Sequence, residues 1–150
     1  MLKPGIKAPD VSLPDENGVI RTLEEFRGKK IVLYFYSKDN TSGCTKQACN
    51  YSDIYPMIKE KNAVVIGVSK DSSESHKKFK DKYSLPFILL SDTELKTIKD
   101  YDVWGEKTMY GRKTFGVVRT TYVIDENGVI VNSRGKVKAA DDPAETLELI

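Results

Sequence analysis

Two unbroken apolar runs, Ile31-Val32-Leu33-Tyr34-Phe35-Tyr36 and Ala63 to Val68, constrain this chain more than anything else in it. Neither alternates apolar with polar residues, and both are rich in β-branched and aromatic side chains, the pattern of a strand covered on both faces. Between them lies Gly43 to Lys61, long enough for a crossover helix. Two strands joined by such a helix pair in parallel, and the crossover is right-handed. Pro56 is expected to kink or divide that helix, because its ring offers no N–H and crowds the preceding turn.

Weaker signals extend the pattern in both directions. Val11 to Leu13 and Val19 to Arg21 flank the turn-forming Pro14-Asp15-Glu16-Asn17-Gly18. Thr22 and Glu25 form a T-x-x-E capping box, which predicts a brief helix ending at Gly28. Ser72 to Tyr83 reads as a surface helix with Phe79 and Tyr83 turned inward, stopped by Pro86. Phe87 to Leu90 follows as a strand, Thr93 to Tyr101 as a short helix, and Thr120 to Ile124 as another buried strand. The turn Asp125-Glu126-Asn127-Gly128 leads into Val129 to Asn132, and Pro143 opens a last helix reaching Ile150. Strands alternating with helices, with hairpins at both ends, predict an α/β architecture in which helices flank a mixed central sheet. That layout is thioredoxin-like, and nothing divides residues 1–150 into more than one domain.

Charge and hydropathy exclude several function classes. The 24 basic and 22 acidic residues are interleaved and leave a formal net charge of +2, so no basic block suited to nucleic acid stands out. No stretch approaches the roughly 20 apolar residues needed to cross a bilayer. Met1-Leu2-Lys3-Pro4-Gly5 has no apolar core of the kind a secretory signal carries, so the expected compartment is the cytoplasm.

Cys44 and Cys49 are the chain's two cysteines. In a reducing compartment such a pair points to redox chemistry, metal binding or two buried thiols. A tetrahedral zinc site needs two further ligands, and outside the carboxylates the chain offers only His76, whose place on a surface helix suits a structural or solvated role. Cys44 falls in the first turn of the crossover helix, where free backbone N–H groups and the positive end of the helix dipole favour an anion. Thr41, three residues earlier, is placed to cap the helix and to donate to the sulfur or to an oxygen bound beside it. The carboxyl end of a central strand is also where open α/β sheets place their ligands. Trp104, Tyr110 and Phe115 read as core or pocket wall, and Lys77 to Lys82 as a solvated face.

Tyr36-Ser37-Lys38-Asp39-Asn40-Thr41-Ser42-Gly43-Cys44-Thr45-Lys46-Gln47-Ala48-Cys49 resembles the active-site segment of the peroxiredoxins, specifically their bacterioferritin comigratory protein or Q group. Further segments resemble family blocks in the family's order: Ser75-His76-Lys77-Lys78-Phe79, Leu85-Pro86-Phe87, Leu89-Leu90-Ser91-Asp92, Val103-Trp104-Gly105-Glu106-Lys107 and Arg119 to Asp125. The resemblance implies that Cys44 is the peroxidatic cysteine, Cys49 the resolving one, Thr41 the active-site hydroxyl and Arg119 the arginine near the sulfur. A guanidinium there stabilises a thiolate and hydrogen-bonds the peroxide as charge moves onto its leaving oxygen. Two positions depart from the pattern: Ser37 and Ser42 stand where the family usually has proline, which leaves the loop less rigid and the pocket more polar.

The implied activity is reduction of hydrogen peroxide and organic hydroperoxides through a Cys44 sulfenic acid and a Cys44–Cys49 disulfide, with thioredoxin or a similar dithiol as reductant. Neither metal nor organic cofactor is expected, because sulfur carries the two electrons. A monomer or weak homodimer is the expected assembly. Two rival classes share these features. A thiol–disulfide oxidoreductase ordinarily spaces its cysteines C-x-x-C, which this chain does not, and a non-enzymatic redox sensor would be oxidised without turning over.

Overall fold

The computed structural model describes residues 1–150, apart from the side chain at position 109. Its centre is a five-stranded sheet of β3 (Lys30–Phe35), β4 (Ala63–Ser69), β5 (Ile88–Ser91), β8 (Thr120–Ile124) and β9 (Ile130–Gly135), in the order β5-β4-β3-β8-β9. β3, β4 and β5 run parallel, while β8 lies antiparallel to both β3 and β9, so the sheet is mixed as expected. The two apolar runs pair directly, with Leu33 opposite Ile66.

Their lack of alternation has the anticipated cause. Ile31, Leu33 and Phe35 pack into one cluster with Ile66, Tyr101 and Tyr122. Val32, Tyr34 and Tyr36 point the other way, into a cluster with Cys44, Ala48, Tyr51 and Phe87. The second cluster lies under α1 (Ser42–Glu60), α2 (Ser73–Tyr83) and α4 (Asp142–Leu149). On the first side a short α3 (Lys96–Asp100) supplies Ile98. A two-stranded ribbon, β1 (Ser12–Pro14) with β2 (Ile20–Thr22), leads into a 3-10 turn over Leu23–Phe26, where Glu25 accepts from the Thr22 backbone N–H.

Several expectations need correction. α1 is not divided: it runs through Pro56 as one helix. The helix expected over Thr93 to Tyr101 is confined to Lys96–Asp100, because Leu95 takes a left-handed conformation (φ 65°) that a continuous helix forbids. The chain also builds a hairpin of β6 (Trp104–Met109) and β7 (Arg112–Val117) that the sequence did not announce. Tyr110 and Phe115 lie on this hairpin, 98% and 64% exposed, so neither is core or pocket wall; Trp104 is partly buried against the first cluster. Of the two roles expected for His76, the structural one holds and the solvated one does not, since it is 0% exposed. Among the described residues, no helix is long and apolar enough to cross a membrane.

Candidate active site

β3 ends at Phe35, and the chain then passes through a loop of residues 37–41 before α1 begins at Ser42. Buried polar contacts tie this loop down. The Asp39 carboxylate accepts from the Tyr36 hydroxyl at 2.6 Å and the Ser75 hydroxyl at 2.8 Å, and its Oδ2 lies 2.7 Å from Nδ1 of His76. The other ring nitrogen, Nε2, lies 2.9 Å from the Leu90 carbonyl oxygen, which only accepts, so Nε2 carries a proton. The Asp39 backbone N–H donates to Asp71 at 2.9 Å. His76 thus joins α2, β5 and the loop, and the left-handed Asn40 (φ 60°) accepts at its side-chain oxygen from Lys82 and Tyr83 of the same helix.

Cys44 occupies the first turn of α1 and is 1% exposed. Nη2 of Arg119, the residue before β8, donates to its Sγ at 3.3 Å, and the Ser37 hydroxyl oxygen stands 3.5 Å from it. Gly43 permits this approach, since a Cβ there would lie 3.3 Å from the same guanidinium nitrogen. Burial opposes ionisation of the Cys44 thiol, yet the polar groups around it, the Ser37 hydroxyl foremost, and the Arg119 charge outweigh it, and its pKa falls below the ordinary thiol value. Lys107, reaching in from β6, feels burial and the Arg119 charge, both of which push its pKa down, against the opposite pull of Cys44.

Thr41 is the N-cap residue of α1, but its side chain makes no capping bond; the hydroxyl donates to the Lys38 carbonyl at 2.9 Å. Its single proton must leave that carbonyl before it can serve the sulfur or a substrate oxygen. Cys49 lies farther along the same helix, half-buried, with its thiol pKa raised by burial and by Asp53, against a smaller opposing effect from Lys46. Both cysteines are free thiols. Three of the four expected site residues, Cys44, Thr41 and Arg119, therefore gather around one sulfur, while the helix keeps Cys49 apart.

Two supporting residues escaped the sequence reading. Gln47 is wholly buried; its Oε1 accepts from Nη1 of Arg119 at 2.6 Å, and its Nε2 donates to Asp142 at 2.9 Å. Asp142, at the start of α4, also accepts from Tyr51 at 2.5 Å, Thr121 at 2.8 Å and Arg134 at 2.8 Å. The only advance signal for Gln47 was its spacing of three from Cys44 on one helix, which puts both on one face. Among the described residues, Asp39, Asp71 and His76 lie close enough to share an ion, but their hydrogen bonds to one another and to Tyr36, Ser69 and Ser75 already account for them.

A thioredoxin-like sheet with one ionisable, arginine-paired thiol at the start of the helix after a central strand is the construction of a thiol-based redox enzyme. Known proteins narrow the class. The AhpC/TSA family pattern matches residues 4–133. Peroxiredoxin Bcp of Bacillus subtilis (strain 168) is 45% identical over 146 residues, 97% of this chain and 93% of that protein. A putative peroxiredoxin bcp of Coxiella burnetii is also 45% identical, over 95% of each chain. The bacterioferritin comigratory protein of Xanthomonas campestris, whose structures concern alkyl peroxide reduction, superimposes with a TM-score of 0.90 at 32% identity, over 98% of this chain and 96% of that one. The chain belongs to the AhpC/TSA family and, within it, to the peroxiredoxins of the bacterioferritin comigratory protein or Q group.

Proposed function

We propose that this peroxiredoxin reduces hydrogen peroxide and organic hydroperoxides with Cys44 as the attacking thiolate and Cys49 as the resolving thiol. The observation that carries the reading is the Arg119 guanidinium 3.3 Å from a buried sulfur in the first turn of a helix. The Cys44 thiolate attacks one peroxide oxygen and the O–O bond breaks; sulfur becomes a sulfenic acid, and the other oxygen leaves as alkoxide or hydroxide that takes up from solvent the proton the thiol lost on ionising, giving alcohol or water. Arg119 and a rotated Thr41 hydroxyl donate to the oxygens as negative charge moves across them. The Cys49 thiol then displaces water from the sulfenic acid and the disulfide forms. Thioredoxin or a similar dithiol reduces it, taking the oxidation onto its own sulfur pair.

The relation to the X. campestris protein supports alkyl hydroperoxides among the substrates. Residues 1–150 act as one thioredoxin-like domain, a cytoplasmic monomer or weak homodimer. Peroxide consumption coupled to a thioredoxin system tests the reading. Cys44→Ser abolishes turnover, because a serine hydroxyl is barely ionised at neutral pH and has no adjacent base. Cys49→Ser reacts once with peroxide and stalls as a sulfenic acid that excess peroxide carries to the sulfinic acid, visible by mass spectrometry on Cys44. Turnover by Cys44→Ser would sink the assignment of the nucleophile, and full turnover by Cys49→Ser that of the resolving thiol.

A further inference from the structure

We propose that Ser37 is a catalytic residue of this site: its hydroxyl donates to the Cys44 thiolate and holds the charge before attack, a task separate from the one Arg119 performs on the peroxide. The inference rests on the reading of Cys44 as the attacking thiolate. It starts from burial. A sulfur 1% exposed has almost no water to solvate its charge, so the protein must supply the donors. Arg119 supplies one, at 3.3 Å. Two hydroxyls are near, those of Ser37 and Thr41, and each has a single proton.

Those protons have different destinations. Thr41 places its own on the Lys38 carbonyl. Ser37 stands 3.5 Å from Sγ, a separation that suits the larger sulfur atom, and among the described residues its hydroxyl has no other protein partner. Either atom of this pair could donate while the thiol is protonated, but a thiolate only accepts, so on ionisation the Ser37 O–H turns to the sulfur. The next backbone N–H, that of Lys38, also favours the charged form of the thiol. The Ser37 hydroxyl is thus a donor to the thiolate that is distinct from Arg119, whose guanidinium also serves the incoming peroxide.

The division of labour has a kinetic signature. A donor to the ground-state thiolate raises the fraction ionised at low pH, but it also makes each thiolate less nucleophilic, with a Brønsted slope of about 0.4–0.5. A donor to the developing charge on oxygen raises the rate at every pH. Removing the Ser37 hydroxyl should therefore move the pH–rate profile for peroxide to higher pH without lowering its alkaline plateau.

The test measures the second-order rate with hydrogen peroxide against pH by stopped flow, with thiolate ultraviolet absorbance followed in parallel, for wild type and the variants Ser37→Ala, Ser37→Thr and Ser37→Val. Threonine and valine share a shape and differ by the hydroxyl, so that pair carries the test if the alanine variant fails to fold. The expected result is a loss of roughly fivefold to tenfold for Ala and Val on the acid limb, a plateau at or above wild type, and a wild-type midpoint for Thr. A wild-type midpoint in Ser37→Val, or a plateau that falls together with the acid limb, overturns the proposal. Failure of the underlying reading looks different: wild type itself would then show no peroxide-reactive thiolate at Cys44.

Discussion

Gln47 accepts a 2.6 Å hydrogen bond from Nη1 of Arg119 and so fixes the guanidinium whose Nη2 reaches Cys44. The amide is itself fixed, because its Nε2 donates to the buried Asp142 carboxylate, which the Tyr51 and Thr121 hydroxyls and Arg134 also hold. The sulfur is thereby connected through Arg119 and Gln47 to Asp142 at the start of α4. An arginine with several rotatable bonds reaches a reactive sulfur reproducibly only if something holds its other nitrogens.

Gln47→Leu should therefore behave as a weakened Arg119 and not as a simple core substitution. It removes the acceptor that orients the guanidinium and one of the donors to Asp142. The expected result is a fall of roughly tenfold in the second-order rate with peroxide at all pH values, together with a loss of about 1–3 kcal/mol in urea unfolding. A variant with lowered stability but a wild-type rate would reduce Gln47 to a scaffold residue.

The pKa directions of the two cysteines differ, and the sign has a consequence for pH. Burial and the neighbouring Asp53 raise the Cys49 pKa, so at neutral pH the resolving group is held as a thiol. Only its thiolate attacks the Cys44 sulfenic acid, and disulfide formation should accelerate as pH rises toward and above the ordinary thiol range. Asp53→Asn removes the like charge, lowers the Cys49 pKa and speeds resolution several-fold at neutral pH, leaving the first peroxide step unchanged. Two-phase stopped-flow fluorescence separates the steps; a resolution rate indifferent to this substitution would contradict the electrostatic account.

His76 was expected to have a structural or solvated role on a surface helix; the structural role holds, and its full burial shows where sequence reading runs out. A helix with four lysines and two acids among eleven residues looks solvated throughout, and nothing in the local pattern says that one polar position meets a carboxylate thirty-seven residues away. The same holds for Gln47 and Asp142, whose roles exist only once α4 has docked on α1. The β6–β7 hairpin was missed for another reason: β7 is exposed along most of its length, so it does not carry the period-two alternation of a half-buried strand. By contrast β3, α1 and β4 were legible because a strand buried on both faces leaves an unbroken apolar run. Cys44 was legible because its position at the strand–helix junction follows from those elements. Ser37 departs from the family pattern in the sequence itself, but its contact with the sulfur exists only in the folded loop.

The buried ring also supports a stability prediction. Nδ1 faces the Asp39 carboxylate and Nε2 the Leu90 carbonyl, so His76→Leu takes the imidazole partner from a buried carboxylate, leaving it only the Tyr36 and Ser75 hydroxyls, and takes the side-chain donor from a buried carbonyl. A destabilisation of about 3 kcal/mol or more is expected, read as a lower urea midpoint at unchanged slope. Asp39→Asn should cost less, because the amide oxygen still accepts from Tyr36 or Ser75. Equal midpoints for His76→Leu and wild type would mean that the 2.7 Å contact contributes nothing.

Disulfide formation must partly unwind α1. Cys44 and Cys49 lie on one continuous helix, and in a regular helix residues five apart are separated by about 7.5 Å along the axis and 140° around it, a Cα distance of about 8.7 Å. A disulfide needs less than about 7 Å. The structure says which end gives way. Gln47, Ala48, Tyr51 and Ile58 are wholly buried, and the Tyr51 hydroxyl is bound to Asp142, so the helix from residue 47 onward is held by the core and by α4. Ser42 is exposed and Gly43 half-buried, and neither fixes the backbone as proline would. The first turn, residues 42–46, should therefore open, breaking the contacts of Cys44 with Arg119 and Ser37 and carrying its sulfur toward Cys49. Hydrogen exchange should show faster amide exchange in the disulfide form around residues 42–48, with residues 52–60 little changed and a small loss of far-UV helix signal. Equal protection of residues 42–48 in both forms, with the bond confirmed by mass spectrometry, would mean that this turn stays closed and that the helix distorts at Cys49 instead.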